Sequence, residues 1–345
     1  MSPSSTKNRL HGERTGIPAV PRVRWLMLAA LSLAGAGSGC FETSFRDGQF
    51  ACASDGTCPP GLQCAANNQC VRDPSAIGVD ASDGNPPVDF LAARVKQPIA
   101  IYVFNEGDGN LVHDLSNSNP PLDLTISVVP NVVWSPGVLR LEGETLIVPG
   151  GSPQASDNLR TTLQASGALT LEAWITPKET ATNGPRRIIA LSESTSAQSF
   201  VMAQGGRNLN TNRDSYVLRL RTSDLLDTNG TPGFETPVGS ATTQLTHLVY
   251  TRTALGKVTA YLDSIAVATT VFDSATATDV PATTRAGDLS IWEAGHLFGL
   301  GNERDGVRQW TGELHLVAVY ARALDAGEVK QNFMVGPDPE LAVSP

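Results

Sequence analysis

The sequence predicts an all-β fold, a two-sheet sandwich with a single core, preceded by a small cysteine-rich module. Three observations support this prediction. Short apolar runs with period-two alternation recur through residues 97–337, as expected for half-buried strands. Glycine (32) and proline (23) are plentiful and aromatics make up only 6%, which favours short strands joined by turns. All five cysteines lie between positions 40 and 70.

The N-terminus has the parts of an export signal. Basic residues precede the apolar run 25–34, and the small residues 35–39 lead directly into Cys40. We therefore expect residues 1–39 to be a signal peptide and Cys40 to be a lipid-attachment site, with the protein anchored to the cell envelope. The residue after Cys40 is Phe41 and not the aspartate of an inner-membrane retention signal, so the outer membrane is favoured. An ordinary secretion signal cleaved nearby, or an uncleaved anchor, are the alternatives.

The charge of the chain disfavours nucleic acid as a partner. Removing residues 1–39 takes away five basic residues and one acidic residue, so the net charge moves from −9 to −13. Nucleic-acid binding needs clustered lysine and arginine that neutralise phosphates. The expected partners are therefore the membrane, through the lipid, and a glycan or surface protein.

A cysteine module is predicted over residues 40–73. Four cysteines recur every six residues after Cys40, at Cys52, Cys58, Cys64 and Cys70. Four cysteines in a segment too small to fold unaided favour disulfides, whose three alternative pairings the sequence leaves open. A zinc site is the alternative, but zinc ligands are usually closer pairs. A polar, Pro/Gly-rich linker follows over 74–96, and residues 338–345 form a tail.

The large domain, residues 97–337, is assigned mostly to strands. Alternation predicts strands at 99–104, 145–148, 169–175, 187–192, 199–204, 216–221, 246–251, 258–262, 265–271, 296–300 and 314–320. One helix is predicted near the C-terminus, because Asp325 and Glu328 have the spacing of a capping box. The polar stretches 205–215 and 222–240 are predicted to be exposed loops.

Residues 99–335 resemble the laminin G-like, concanavalin A-like lectin/glucanase superfamily. The resemblance is carried by six segments in order: Tyr102–Gly109, His113–Asn117, Leu169–Ile175, Thr246–Tyr250, Val258–Asp263 and Trp310–Glu328. It implies a jelly-roll of two antiparallel sheets. It also implies a structural calcium, with Asp114 at a position where the family often has a ligand. An Asx-turn is the alternative role for Asp114.

Catalytic motifs are missing from this sequence. Glucanases of this fold carry alternating Glu-x-Asp-x-Glu carboxylates on one strand, whereas Glu106-Gly107-Asp108 here lies in a Gly-rich turn without a third acidic residue. We therefore expect a surface-anchored lipoprotein that is not an enzyme, with a non-catalytic binding or adhesion domain. A divergent glycoside hydrolase and a purely structural envelope protein are the alternatives. Ligand contacts are expected in the long loops, without named residues.

Lipid attachment at Cys40 can be tested by removing the thiol of this residue. Replacing Cys40 with Ser leaves no sulfur to acylate, so the Cys40→Ser protein should move from the membrane to the soluble fraction. Fractionation followed by immunoblotting measures this, with Cys52→Ser as a control that keeps Cys40. Continued membrane association of Cys40→Ser contradicts lipid attachment at this residue.

Overall fold

The computed structural model describes residues 63–64, 70–71, 90–95, 97–150, 153–206, 212–225 and 227–337. Contacts divide the chain into two units, residues 1–80 and 81–345. In the first, β1 (Gln63–Cys64) and β2 (Cys70–Val71) form an antiparallel pair in which Cys64 and Cys70 are backbone partners. Cys40, Cys52 and Cys58 lie outside the described residues, so the lipid and disulfide assignments stay predictions.

The second unit consists largely of strands. In chain order they are β3 (Ala100–Tyr102), β4 (Leu111–Val112), β5 (Leu124–Ile126), β6 (Val132–Ser135), β7 (Val138–Leu141), β8 (Ile147–Val148), β9 (Leu169–Pro177), β10 (Thr182–Asn183), β11 (Arg186–Ser194), β12 (Ala197–Gln204), β13 (Asn212–Arg213), β14 (Tyr216–Leu220), β15 (Phe234–Glu235), β16 (Thr246–Arg252), β17 (Val258–Leu262), β18 (Ile265–Val267), β19 (Thr270–Asp273), β20 (Thr278–Pro281), β21 (Leu297–Leu300) and β22 (Gly312–Tyr320).

These strands form two large antiparallel sheets, which confirms the predicted all-β architecture and is consistent with a jelly-roll. The large sheet has ten strands in the order β20-β19-β15-β14-β12-β11-β21-β8-β5-β4. The smaller sheet has eight, in the order β18-β17-β16-β9-β22-β7-β6, with β3 also paired to β22. β10 and β13 make a separate two-stranded pair.

Three helices accompany the sheets: α1 (Phe90–Ala93), α2 (Gln154–Ser166) and α3 (Ala326–Val335). The capping box predicted for α3 is present, since Asp325 accepts from the Glu328 amide at 2.9 Å and Glu328 accepts from the Asp325 amide at 3.0 Å. Helix α2 was not predicted. Pro153 at its N-cap makes no side-chain capping bond. None of the described helices is long and apolar enough to cross a membrane.

The core lies between the two sheets and follows the period-two pattern. On β14, Tyr216, Leu218 and Leu220 are fully buried, as their alternation predicted. The neighbouring residue Arg219 lies on the opposite face of this strand, yet it is only 7% exposed. A buried arginine on the outer face means that other groups cover this part of the large sheet.

Helix α3 closes the outer face of the smaller sheet. The Trp174 ring on β9 contacts two other rings, with centroid distances of 4.6 Å to His247 and 5.6 Å to Phe333 of α3, and those two rings are 5.8 Å apart. Val249, Leu316 and other apolar side chains pack around these rings and form an apolar cluster between the smaller sheet and α3. Stacked aromatic pairs contribute beyond the area that they bury, so α3 is fixed to the sheet.

The carboxylate of Glu172 is the polar centre beneath α3. Its Oε1 accepts from Arg94 and lies 2.9 Å from His247 Nε2. Its Oε2 accepts from Asn332 Nδ2 at 2.8 Å and from the Tyr320 hydroxyl at 3.2 Å. Every one of these five side chains is buried. Two strands, the helix and the segment before the first strand of the domain therefore meet at one anion.

The N-terminal boundary of the large domain needs correction. Residues 74–96 were predicted to be a linker, yet Arg94 and Val95 are buried against the domain. Arg94 Nη1 donates to the Gly336 carbonyl at 2.8 Å, and the Val95 amide donates to Asn332 Oδ1 at 2.9 Å. Residues 90–95 thus belong to the folded domain, because the buried charge of Glu172 requires the guanidinium that they supply.

Removing the charge of Glu172 should destabilise the domain. Burial by itself would raise the Glu172 pKa, but Arg94 and then His247 lower it from 4.5 to about 2. The Glu172→Gln variant keeps the shape and leaves Arg94 buried without its counter-charge. We expect a loss of about 3–5 kcal/mol in the free energy of unfolding, measured by urea denaturation at pH 7. Glu144→Gln, an exposed control, should change it by less than about 0.5 kcal/mol.

The same carboxylate should contribute to acid sensitivity. Because its folded pKa lies below its unfolded pKa, the stabilisation is complete above pH 4.5 and is lost as the pH falls towards about 2. Denaturation curves between these pH values should show a shallower loss of stability in Glu172→Gln than in the parent. Identical slopes would contradict the role given to Glu172.

Candidate functional site

The register of four strands gathers polar residues on the outer face of the large sheet. Glu235 on β15 is the partner of Val217 on β14 and of Thr270 on β19, and Phe272 on β19 is the partner of Asp279 on β20. Directly opposed residues share a face, as do residues two apart on one strand. Glu235, Phe272 and Asp279 therefore lie on the same face, away from the core.

A groove of about 370 Å³ opens on this face. Strands β14, β15 and β19 form its floor, and the segment before β15 forms one wall. Its lining combines an aromatic ring with charged, amide and hydroxyl groups: Val217, Arg219, Asn229, Thr231, Pro232, Gly233, Glu235, Phe272 and Ser274. Such a mixture suits a ligand that has both apolar faces and hydroxyl groups.

One arginine joins the two carboxylates beside the groove. Arg213 Nη1 lies 2.9 Å from Glu235 Oε2, and Arg213 Nη2 lies 3.0 Å from Asp279 Oδ2. The Ser215 hydroxyl donates to Glu235 Oε1 at 2.7 Å. Burial works against the charge of Arg213, but its hydrogen bonds to Asp279 and Glu235 raise its pKa overall. The carboxylates differ in environment, with side-chain exposures of 5% for Glu235 and 30% for Asp279.

Local sequence explains how the groove wall is held. Asp227 accepts from the Asn229 amide and from the Thr231 hydroxyl, both at 2.8 Å, which fixes the turn that carries these two groove residues. Gly233 allows the chain to pass close to β14, since a Cβ there would lie 2.6 Å from Val217 Cγ2. The glycine thus brings the following strand, and Glu235 with it, against β14.

A buried ion pair covers the centre of the outer face. Arg187 Nη2 lies 3.1 Å from Glu303 Oε1, and neither side chain is exposed. Gln198 also donates to Glu303 Oε2 at 3.1 Å. Burial lowers the Arg187 pKa to about 10 and raises the pKa of Glu303. This pair covers the outer face of the large sheet at its middle strands. The open groove therefore lies on the same face but nearer the β19–β20 edge.

Asp114 does not fit a calcium ligand. Its Oδ1 accepts from the amides of Ile101 at 3.0 Å and Ser116 at 2.9 Å, and its Oδ2 accepts from the Ser116 hydroxyl and the Leu122 amide, each at 3.0 Å. A carboxylate has about four lone-pair sites, and donors occupy all of them. Within the described ranges, no group of three or more His, Cys, Asp or Glu residues could hold a metal ion. Asp114 instead fixes a turn, the alternative role.

Sequence reasoning found the region of the groove but not its residues. The loops expected at 205–215 and 222–240 do supply groove residues and neighbours, such as Arg213 and Asn229. However, each stretch contains a strand, β13 in the first and β15 in the second, and Ser215, Phe234 and Glu235 are buried. Strand β15 was missed because it consists of only two residues, Phe234 and Glu235, and an alternating pattern cannot be recognised over so short a segment. Asp279 became a neighbour only through sheet register.

A family model described as the concanavalin A-like lectin/glucanases superfamily, of the laminin G-like kind, matches residues 150–330. The chain belongs to this superfamily. The resemblance noted in the sequence is thereby confirmed. The matched segment contains all the residues that line the groove, together with Arg213 and Asp279 beside it. No curated protein sequence matches the chain.

Solved structures similar to this superfamily member include carbohydrate-processing enzymes. A Trypanosoma rangeli sialidase in complex with 2,3-difluoro-KDN is 17% identical, covering 70% of this chain and 34% of its own, with a TM-score of 0.48. Domain 4 of AbnA, an extracellular GH43 arabinanase from Geobacillus stearothermophilus, in complex with arabinotriose, is 15% identical, covering 68% and 97%, with a TM-score of 0.42. The chain spans about a third of the sialidase.

These findings correct the functional expectation. We expected a surface-anchored lipoprotein with a non-catalytic binding or adhesion domain. That prediction is wrong, because the family model that matches the chain describes a superfamily of lectins and glucanases. The family match points to a carbohydrate-related function and favours the alternative, a divergent glycoside hydrolase. The comparisons leave untested whether the chain is an enzyme.

Calcium should have no effect on the stability of this domain. Because the four donors already satisfy Asp114, adding EDTA or millimolar Ca²⁺ should leave the Tm unchanged, as measured by differential scanning calorimetry. Asp114→Ala, which leaves the amides of Ile101 and Leu122 without their acceptor, should lower the Tm. A Tm that rises with Ca²⁺ in the parent protein and no longer does so in Asp114→Ala would reverse this assignment.

Proposed function

We propose that the sandwich domain is a divergent glycoside hydrolase of the concanavalin A-like superfamily, acting on a saccharide bound in the groove beside β15. The pair Glu235 and Asp279, held on one guanidinium at the edge of an open groove, carries the proposal. Superfamily membership supports carbohydrate as the substrate class.

The spacing of the two carboxylates suits the reaction. Both accept from adjacent nitrogens of Arg213, which holds them near each other, and glycosidases use two carboxylates roughly 5–9.5 Å apart. In that chemistry one group gives a proton to the leaving oxygen. The other attacks the anomeric carbon or removes a proton from the attacking water.

The different surroundings assign a role to each carboxylate. Glu235 is fixed by Arg213 and Ser215 within the sheet, which suits the group that faces the positive charge developing on the sugar. Asp279 is more exposed and lies on the edge strand, which suits exchange of a proton with the leaving oxygen and with water. Phe272, Asn229 and Thr231 would orient the sugar.

Hydrolysis should depend on both carboxylates. The full chain should release reducing ends from at least one member of a panel of polysaccharides and aryl glycosides. Glu235→Gln and Asp279→Asn should each lower kcat roughly 10²–10⁴-fold, because each removes a proton-transfer or charge-stabilising group. Glu193→Gln, a surface variant in the same sheet, should retain activity.

Two outcomes count against the proposal. One is no hydrolysis of any substrate by the unaltered chain. The other is full activity in both carboxylate variants, which would leave Arg213, Glu235 and Asp279 as a structural ion-pair network.

A further inference from the structure

The strand that carries Glu235 has little backbone pairing of its own. Strand β15 consists of Phe234 and Glu235, which pair with Leu218 and Val217 of β14 on one side. On the other side, Glu235 pairs with Thr270 of β19. So short a ladder supplies few backbone hydrogen bonds, and side chains must therefore help to fix the direction in which Glu235 points.

A tyrosine of the opposite sheet reaches β15 through the core. Tyr250 lies on β16 of the smaller sheet and is fully buried. Its hydroxyl donates between two backbone carbonyls, that of Tyr216 at 3.2 Å and that of Phe234 at 3.3 Å. The Phe234 carbonyl belongs to the same planar peptide group as the Glu235 amide. Holding this carbonyl therefore fixes the direction in which the chain enters Glu235.

The surroundings of Tyr250 keep its hydroxyl protonated. Burial first, and then electrostatic interaction with Glu235 and Tyr216, raise the Tyr250 pKa well above its ordinary value. A buried hydroxyl without an acceptor would cost free energy, so the phenol stays directed at the two carbonyls. The contact with β15 is thus a permanent part of the core.

A threonine holds the chain on the other side of Glu235. The hydroxyl of Thr236, a buried residue, accepts from the Tyr216 amide at 2.9 Å. The Thr236 amide donates to the Tyr216 carbonyl, also at 2.9 Å. Thr236 and Tyr250 therefore share one acceptor on β14, and the residues before and after Glu235 are tied to the same point.

Resting on the proposed function, we infer that Tyr250 and Thr236 are positioning residues, which hold Glu235 in the direction that hydrolysis requires. Both side chains are buried and neither belongs to the groove lining, so they act through the backbone of β15. Reaction rates depend steeply on orientation, since a displacement of about 1 Å can cost roughly 100-fold. The placement of Glu235 thus depends on a residue of the opposite sheet.

A pair of matched tyrosine substitutions tests this inference. Tyr250→Phe removes the hydroxyl and keeps the ring. Tyr102→Phe is the control, because the buried Tyr102 hydroxyl donates to the Leu122 carbonyl at 2.7 Å, next to β5 and far from β15 in the strand order. On a substrate that the full chain hydrolyses, Tyr250→Phe should lower kcat about 10–100-fold and leave KM within about twofold. Tyr102→Phe should retain kcat even where its Tm falls equally.

A matched pair of threonine substitutions keeps the test valid if Tyr250→Phe does not fold. Thr236→Val preserves the shape of the side chain and should lower kcat in the same way. Thr170→Val is its control, because the buried Thr170 hydroxyl on β9 donates to the Arg322 carbonyl at 2.8 Å and accepts from the Leu324 amide at 2.9 Å. The Tm of each variant shows whether it is folded.

Hydrogen exchange provides a measurement that does not depend on hydrolysis. In Tyr250→Phe the amide at position 236 should exchange faster than in the parent, because β15 opens more easily without its contact to the smaller sheet. In Tyr102→Phe the same amide should keep its parent rate, since the lost bond lies elsewhere in the core.

The outcomes separate this inference from the proposed function. Unchanged kcat in folded Tyr250→Phe and Thr236→Val overturns the inference but leaves a glycoside hydrolase, and so does an equal fall of kcat in the two controls. If the unaltered chain hydrolyses no saccharide, the proposed function fails and exchange alone decides. Faster exchange at position 236 in Tyr250→Phe then still supports the positioning of β15 by Tyr250, and an unchanged rate overturns it.

Discussion

The packing around the smaller sheet depends on one buried anion, the carboxylate of Glu172. A charge inside a protein is costly unless it is paired and hydrogen-bonded, and removing one partner leaves the other uncompensated. Here the partners come from distant parts of the chain: Arg94 before the first strand of the domain, His247 on the next strand and Asn332 on the last helix. The ends of the domain are thereby tied to the middle strand of this sheet, so the buried charge specifies the closure of the fold.

That closure decides which face is left for a ligand. The smaller sheet has its outer face covered by α3, whose Phe333 lies on the Trp174 ring. On the large sheet, the pair formed by Arg187 and Glu303 covers the centre and leaves the groove near β19 open. In both cases a buried ion pair, and not an apolar layer alone, determines where solvent can enter. The groove is thus a consequence of how each sheet pairs its charges.

Period-two alternation predicted the strands because one face of each is apolar, as in the Tyr216, Leu218 and Leu220 series. The capping box predicted α3 since Asp325 and Glu328 bond reciprocally. Alternation could not predict α2, which buries only Leu159 and Leu163 among its apolar residues and lacks a capping side chain. The groove was beyond sequence reasoning because Glu235 and Asp279 become neighbours only through strand register. Asp114 was assigned to calcium by resemblance, although local backbone amides take its oxygens.

The β19–β20 hairpin ends the large sheet, and its contact with the rest of that sheet is the pairing of Thr270 with Glu235. Asp279 and Phe272 both lie on it, whereas Glu235 belongs to the strand inside. One side of the groove, with Phe272 and Ser274, is therefore carried by a peripheral hairpin that contacts the core through Val271. Under the proposed function, changes confined to the outer turn of this hairpin would alter which saccharides fit, while the two sheets keep their pairing.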